Sequence, residues 1–270
     1  MSARLKTLEE NLFEELSGLT PLLVLVSGGV DSALLAEAAR RALPAGSFAL
    51  LHAELPFSPS GESEYIKRFA AERGTRLLVE RIPLLDVAEI AENGPERCYH
   101  CKKWILKTAL SGAFSAEFES VADGTVLDDF GDYRPGLRAT EEFGVRHPLA
   151  DSGFGKREVR LLARRYGLSG WNRPASACLA SRIPTGSRIT REKLERIAAA
   201  EEYLAGLGFR GCRARHIDDA TVSVEVAEIH LKRLRRMEKK ISGHLSALGF
   251  SEVRINPDGY KKGAMNAGTS

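Results

Sequence analysis

The chain has 270 residues, 43% apolar and 28% charged, with a formal net charge of +3; this is the composition of a globular protein long enough for one large or two modest domains. So small a positive balance admits an anionic small ligand and argues against a nucleic-acid binder, which concentrates basic residues in a stripe. The basic run "LKRLRRMEKK" alternates with apolar residues at helical spacing and reads as the solvated face of a helix. No apolar run approaches the roughly 20 residues of a membrane span, and "MSARLKTLEENLFEEL" reads as an amphipathic helix rather than a secretory leader. A cytoplasmic protein with no membrane partner is expected, its four cysteines being reduced thiols or metal ligands rather than disulfides.

In chain order, "LLVLV" (22–26) is a continuous apolar run, as expected of a strand buried on both faces. A helix follows from about Asp31 to Leu43, and "FALLHA" (48–53) is a second strand. The stretch from Gly61 to Gly74 reads as a helix ending at glycine. "RLLVERI" (76–82) is a third strand, Tyr99 to Ala113 another helix, and "SVADG" (120–124) a fourth strand with its exit loop. Such alternation predicts an α/β fold, a mostly parallel sheet with helices on both faces.

From Gly124 to Gly155 the chain is rich in Gly, Asp, Arg and Pro and reads as a long irregular loop. "KREVRLLARRYGL" is the helix that ends the first half. After the loop around Cys178 come a helix ("TREKLERIAAAEEYLAGLG"), two short strands near 212–216 and 221–226, a single helix over "IHLKRLRRMEKKISGHLSALG", and the strand "SEVRIN". These predict a small α+β domain. The division expected is 1–168, a linker loop at 169–188, and 189–270.

The strongest local signal is the strand that runs into Ser27-Gly28-Gly29-Val30-Asp31-Ser32 and straight into a helix. Two glycines permit a sharp turn and close approach of the backbone to a ligand. The helix start offers unpaired N–H groups and a positive dipole end to an anion, and Ser27 and Ser32 add hydroxyls. Asp31 suits such a place if it caps the helix or meets Mg²⁺. Neither a Walker A loop nor a G-x-G-x-x-G fingerprint is present. A plain Gly-Gly turn with an Asp/Ser cap is the alternative. The Ser-Gly-Gly-x-Asp-Ser loop resembles the PP-loop of the ATP pyrophosphatase superfamily. That resemblance implies an ATP site and adenylation of a substrate with release of pyrophosphate.

"ERCYHCKKW" holds Cys98-x-x-Cys101 near a helix start, beside Arg97, Lys102 and Lys103, whose charge favours thiolate. A second CxxC, which a four-cysteine zinc site needs, is missing. Cys212 in "FRGCRARH" reads as a core residue of the second domain. Cys98, Cys101 and Cys178 are thus a candidate trio, and three thiolates leave one iron of a [4Fe–4S] cluster open. A redox dithiol, a zinc site completed by another ligand, and core packing are the rival readings.

The PP-loop, "DGTVLDDFGDYRPG", "KREVRLLARRYGL", "RPASACLASRIPTGSRIT", "AAEEYLAGLGF" and "GYKKG" occur in order along nearly the whole chain. Together they resemble the LarE family of ATP-dependent sulfur transferases, with the adenine nucleotide α hydrolase-like PP-loop fold. The resemblance implies that a carboxylate of pyridinium-3,5-biscarboxylic acid mononucleotide is adenylated and that sulfur replaces AMP, in biosynthesis of the nickel-pincer nucleotide of lactate racemase. In one type of that family the cysteine matching Cys178 gives up its own sulfur; in the other it joins a CxxC to hold a [4Fe–4S] cluster. The presence of Cys98 and Cys101 favours the cluster type. Cys178, Ser181 and Arg182 fall in the most diagnostic segment and are carried over as catalytic. Ser27, Gly28, Gly29, Asp31, Ser32, Gly124, Asp128 and Arg134 are carried over for nucleotide and Mg²⁺.

Arg173, Arg182 and Arg188 are forked donors suited to a substrate phosphate or carboxylate. Asp129 and Asp132 could assist Asp128 with Mg²⁺. Glu201, Glu202, Arg213, Arg215 and Glu225 resemble polar positions of the family's second domain, and surface charge is the alternative for Glu201 and Glu202. The resemblance further suggests a homo-oligomer, with a hexamer as one form. The alternatives to cluster-borne sulfur are sacrifice of the Cys178 sulfur and a PP-loop tRNA thiolase.

Overall fold

The computed structural model describes residues 3–59, 61–111, 116–131, 135–172 and 177–260. They fall into two compact units. One comprises Met1–Leu55, Gly61–Leu84 and Cys98–Arg173; the other comprises Pro56–Ser60, Leu85–Arg97 and Pro174–Ser270. A linear division of the chain does not foresee that 56–60 and 85–97 join the second unit. Among the described residues no helix is long and apolar enough to cross a membrane.

The first unit opens with α1 (Ala3–Ser17), β1 (Leu22–Leu25), α2 (Val30–Ala42), β2 (Phe48–Glu54), α3 (Glu62–Glu72) and β3 (Leu77–Arg81). The short α4 (Ala88–Ala91) lies in the second unit; α5 (Arg97–Ser111) and β4 (Ser120–Ala122) follow. The four strands form one parallel sheet in the order β3-β2-β1-β4. β1 alternates between two cores. Leu22 and Val24 pack among side chains of α1, α2 and α3, and Leu23 and Leu25 among Leu106 and Ala109 of α5. The apolar run that defines β1 therefore serves two helical layers, as in sheets covered on both faces.

The expected long loop is more structured than predicted. It holds α6 (Pro135–Glu142) and α7 (Pro148–Asp151) before α8 (Lys156–Arg165). Both short helices begin with proline, whose fixed φ suits the first helical turn. In α6, Ala139 and Thr140 are buried, so the stretch has an inner face that its Gly/Asp/Arg composition hides.

In the second unit, α9 (Arg191–Gly206) is capped by Thr190, whose Oγ1 accepts the Lys193 N–H at 3.2 Å. β5 (Arg213–His216) pairs antiparallel with β6 (Thr221–Glu225). The single helix expected next is two, α10 (Leu231–Arg236) and α11 (Glu238–Ala247). Charge explains the break. Arg233, Arg235 and Arg236 crowd the last turn of α10, and Glu238 opens α11, so each charge meets the dipole end it stabilises. β7 (Glu252–Ile255) then joins β6 in parallel. Leu204 of α9, Phe209, Val222, Val224, Ile241, Leu245 and Phe250 form the core.

Candidate active site

The sheet order puts β2 on one side of β1 and β4 on the other. In open α/β sheets ligands bind at such a switch point, beyond the carboxyl ends of the strands. Two segments meet there. One is the turn from Ser27 to Ser32. Gly28 has φ +70°, in the left-handed region, and Gly29 precedes α2 with no side-chain cap. The Ser32 hydroxyl braces this turn: it receives the Ser27 N–H at 3.2 Å and donates to Gly29 O at 3.2 Å. The other segment is Gly124, after β4. A Cβ on Gly124 would stand 2.6 Å from Ser32 N and 2.9 Å from Ser32 Cα. The backbone of one loop thus lies against the helix start of the other, so closely that only glycine fits at position 124.

Charge gathers beside it. Lys156 Nζ donates to Asp31 Oδ2 at 2.8 Å and to Asp129 Oδ2 at 3.2 Å. The second oxygen of Asp31 is buried and accepts no hydrogen bond from any described residue. Asp129 also receives the Val126 N–H. Asp128 accepts the Lys156 backbone N–H at 2.8 Å and so caps α8 from a distance. An orphaned carboxylate oxygen beside an uncapped helix start suits a metal-bound polyphosphate. Sequence reading missed Lys156. Its signal was a lysine in the first turn of a helix, where the dipole disfavours a cation.

Directly after β4, Asp123 accepts from Thr125 N, Thr125 Oγ1 and Lys102 Nζ, and lies 2.9 Å from His147 Nδ1. Burial alone would raise its carboxyl. The charge of Lys102 and the bonds from His147, Lys102 and Thr125 outweigh that and hold it well below the usual carboxylate range.

Cys98 and Cys101 sit one turn apart at the start of α5; Cys98 is exposed and Cys101 partly so. The cations expected to activate them have other partners, Lys102 on Asp123 and Lys103 on Glu142 and Tyr99. Cys212 is in the core of the second unit, and burial, aided by Glu201, pushes its thiol up to about 12. No cysteine is in a disulfide. Among the described residues no three His, Cys, Asp or Glu side chains are grouped to hold a metal ion.

In the second unit Cys178 is partly exposed and precedes the 3-10 turn Leu179–Arg182. Its carbonyl accepts the Ser181 hydroxyl at 2.8 Å and Arg182 Nη1 at 3.2 Å. Arg182, with a side chain only 2% exposed, also donates to Ala177 O and Ser181 Oγ, and grips Glu201 through Nε and Nη2. These bonds turn Arg182 inward, toward the protein rather than a substrate phosphate, which differs from the expected forked receiver. Glu201 additionally takes the Ala214 N–H at 3.1 Å, which places it inside the fold rather than among surface charges. Arg215 donates to Ser181 O at 3.2 Å and pairs with buried Glu225 at 2.8 Å. Arg213 is buried and donates to Cys212 O. Asp132, Arg134 and Arg173 lie outside the described residues.

The profile of the asparagine synthase family matches residues 5–115, the part of the chain that carries the Ser27–Ser32 turn. The chain is 31% identical over 264 residues to pyridinium-3,5-bisthiocarboxylic acid mononucleotide synthase of Lactiplantibacillus plantarum, covering 98% of this chain and 95% of that protein. An uncharacterized protein of Synechocystis sp. is 33% identical over 265 residues, 95% of this chain and 96% of its own. Another, from Methanocaldococcus jannaschii, is 31% identical over 180 residues, 67% of this chain and 70% of its own. A parallel sheet with a PP-loop turn at its switch point, together with identity that runs from end to end, means that the chain belongs to the LarE family of PP-loop, ATP-dependent sulfur transferases.

Proposed function

We propose that this protein adenylates a carboxylate of pyridinium-3,5-biscarboxylic acid mononucleotide and replaces the AMP with sulfur, a step in nickel-pincer nucleotide biosynthesis. The observation that carries the ATP half is the close approach of Gly124 to the start of α2 at the switch point, beside the orphaned Asp31 oxygen. The α2 helix start binds the pyrophosphate portion of ATP, with Ser27 and Ser32 adding hydroxyls. Asp31 and Asp129, which share Lys156, would be the carboxylates that meet a Mg²⁺ ion otherwise held by phosphate oxygens, with Asp128 beside them; the ion would supply charge neutralisation of the polyphosphate, and the Lys156 ammonium would then pair with a phosphate oxygen. A substrate carboxylate oxygen attacks the α-phosphorus, and pyrophosphate leaves. The acyl group then has AMP as its leaving group in place of oxide, which sulfur can displace.

The sulfur half rests on Cys178 and its resemblance to the family. Ser181 and Arg182, expected as catalytic residues, serve this half by holding the Cys178 carbonyl and so the thiol. Cys98, Cys101 and Cys178 are three thiols with at least partial access to solvent, and thiolate is the ligand type that an iron–sulfur cluster takes. We propose that these three would hold a [4Fe–4S] cluster, whose open iron supplies a bound sulfide when the group is present. The working protein is proposed to be a cytoplasmic homo-oligomer whose partner is a small-molecule nucleotide rather than a nucleic acid.

Release of AMP and pyrophosphate from ATP and Mg²⁺, dependent on the biscarboxylate mononucleotide, tests the adenylation. Turnover without that substrate, or none with it, contradicts the reading. Iron and acid-labile sulfide on oxygen-free protein test the cluster, with Cys98→Ala, Cys101→Ala and Cys178→Ala alongside. Loss of iron in each variant supports it. No iron even after reconstitution leaves Cys178 as the consumed donor, visible as dehydroalanine after one turnover.

A further inference from the structure

The turn after Cys178 is held by more than Arg182 and Arg215. A separate segment, 85–97, belongs to the same unit and grips it from the sequence side of Cys98. Asn93 is fully buried, and its Nδ2 donates to Ile183 O at 3.3 Å and Pro184 O at 2.8 Å. Its own carbonyl accepts the Gly186 N–H at 2.9 Å, and Ala91 O accepts the Ile189 N–H at 2.7 Å. Arg97 Nη1 donates to Asn93 Oδ1 and, at 3.1 Å, to Ala180 O. Side chains therefore take the carbonyls of Ala177 and Cys178 (Arg182), Ala180 (Arg97), Ser181 (Arg215), and Ile183 and Pro184 (Asn93).

Side-chain donors thus hold this turn along its length, from Ala177 to Pro184. Asn93 is itself held at φ +58°, alone among the described non-glycine residues. A residue persists in that region only where its surroundings over-determine it. Both polar ends of its amide are used, one toward the turn and one toward Arg97. The next residue in the chain after Arg97 is Cys98.

We propose that Asn93 and Arg97 are positioning residues that fix the Cys178 turn for sulfur delivery and couple it to the segment that leads into Cys98. The inference rests on the sulfur-transfer reading above. Neither residue touches substrate. Each acts through the backbone that sets where the Cys178 thiol points, and misplacement of a reacting group by about 1 Å can cost on the order of a hundredfold in rate.

The test uses the full-length protein and three variants, Arg97→Met, Arg97→Lys and Asn93→Gly. Asn93→Gly keeps the left-handed backbone and removes the amide. Two readouts are taken: hydrogen exchange at the amides of Ser181, Ile183, Gly186 and Ile189, and steady-state sulfur transfer. Arg97→Met and Asn93→Gly are expected to exchange several-fold faster at these amides, with exchange in β1 and α2 unchanged. Their kcat is expected to fall about tenfold to a hundredfold at unchanged KM for ATP, and Arg97→Lys to recover part of both. Unchanged exchange in both variants overturns the proposal, as does faster exchange with undiminished kcat or a KM for ATP that rises in step. Should Asn93→Gly fail to fold, Arg97→Met, a partly exposed position, decides alone. An inactive wild type is a different failure: it sinks the sulfur-transfer reading itself, whereas an active wild type with indifferent variants sinks only this one.

Discussion

Gly124 and Ser32 approach so closely that no side chain fits between them: a Cβ on Gly124 would lie 2.6 Å from the Ser32 backbone nitrogen. Gly124→Ala is therefore expected to push the β4 exit loop off the start of α2. Overpacking of this kind costs about 1–3 kcal/mol, read as a lower denaturation midpoint. ATP binding, followed by calorimetry, is expected to weaken more than tenfold in the protein that remains folded. A variant with wild-type affinity would remove this contact from the nucleotide site.

Lys156 neutralises Asp31 and Asp129 together. Lys156→Met removes the ammonium that these two carboxylates share. The cost is about 1–2 kcal/mol, less than for a fully buried pair, because the lysine side chain is 35% exposed. Millimolar Mg²⁺ is expected to restore more stability to this variant than to the wild type in a thermal melt. An equal response in both proteins would mean that the metal does not use these carboxylates.

Arg182 and Glu201 form a bidentate pair in the second unit, with side chains 2% and 16% exposed. Removing one partner of such a pair costs about 3–5 kcal/mol, whereas apolar replacement of both costs much less. Glu201→Leu is thus expected to destabilise more than the Arg182→Met/Glu201→Leu double variant. Additive urea midpoints would contradict it.

The first unit also carries a pH signature. His52 is buried, with Nδ1 3.2 Å from Val26 O and Nε2 2.8 Å from Ser63 Oγ. Burial lowers its pKa below the ordinary 6.5. The unfolded chain then takes up the proton first, so stability falls as pH drops below 6.5, by at most about 1.4 kcal/mol per pH unit for one proton. Glu54 adds a second limb. Hydrogen bonds from Lys67 and Ser63, against a smaller opposing effect of burial, bring its carboxyl from 4.5 to about 2. Its contribution is present above 4.5 and is lost as pH falls toward 2. Urea melts at stepped pH are expected to show both limbs, with His52→Gln flattening the upper one and Glu54→Gln the lower. Unaltered slopes would mean that other groups carry the acid sensitivity.

Burial and the raised pKa of Cys212 make it the inert thiol. Brief alkylation of native, metal-free protein near neutral pH, read by peptide mass, is expected to label Cys98, Cys101 and Cys178 and to spare Cys212. Early labelling of Cys212 would contradict the packing of the second core.

Local chemistry made much of this readable from sequence. The apolar run of β1, the two glycines after it and the helix start each express a nearby constraint, so the Ser27–Ser32 turn was legible. Cys212 read as core for the same reason. The break at Met237 escaped because apolar spacing continues across it while the charges that favour it do not alter the period. α6 and α7 escaped because Gly and Arg masked their short buried faces. Lys156 meets Asp31 from far along the chain, and Asn93 meets Pro184 likewise; no local pattern encodes such bonds. Arg182 is the instructive case. A forked donor beside a reactive cysteine looks the same in sequence whether it faces a phosphate or a row of backbone carbonyls.

The most direct test of the central claim is a mass analysis of the product. Oxygen-free protein is incubated with ATP, Mg²⁺ and pyridinium-3,5-biscarboxylic acid mononucleotide, and the nucleotide is examined for exchange of a carboxylate oxygen for sulfur. The predicted result is a thiocarboxylate formed in step with AMP, and none from Cys178→Ala. AMP with no sulfur in the product, or a thiocarboxylate that survives the loss of Cys178, would contradict the account.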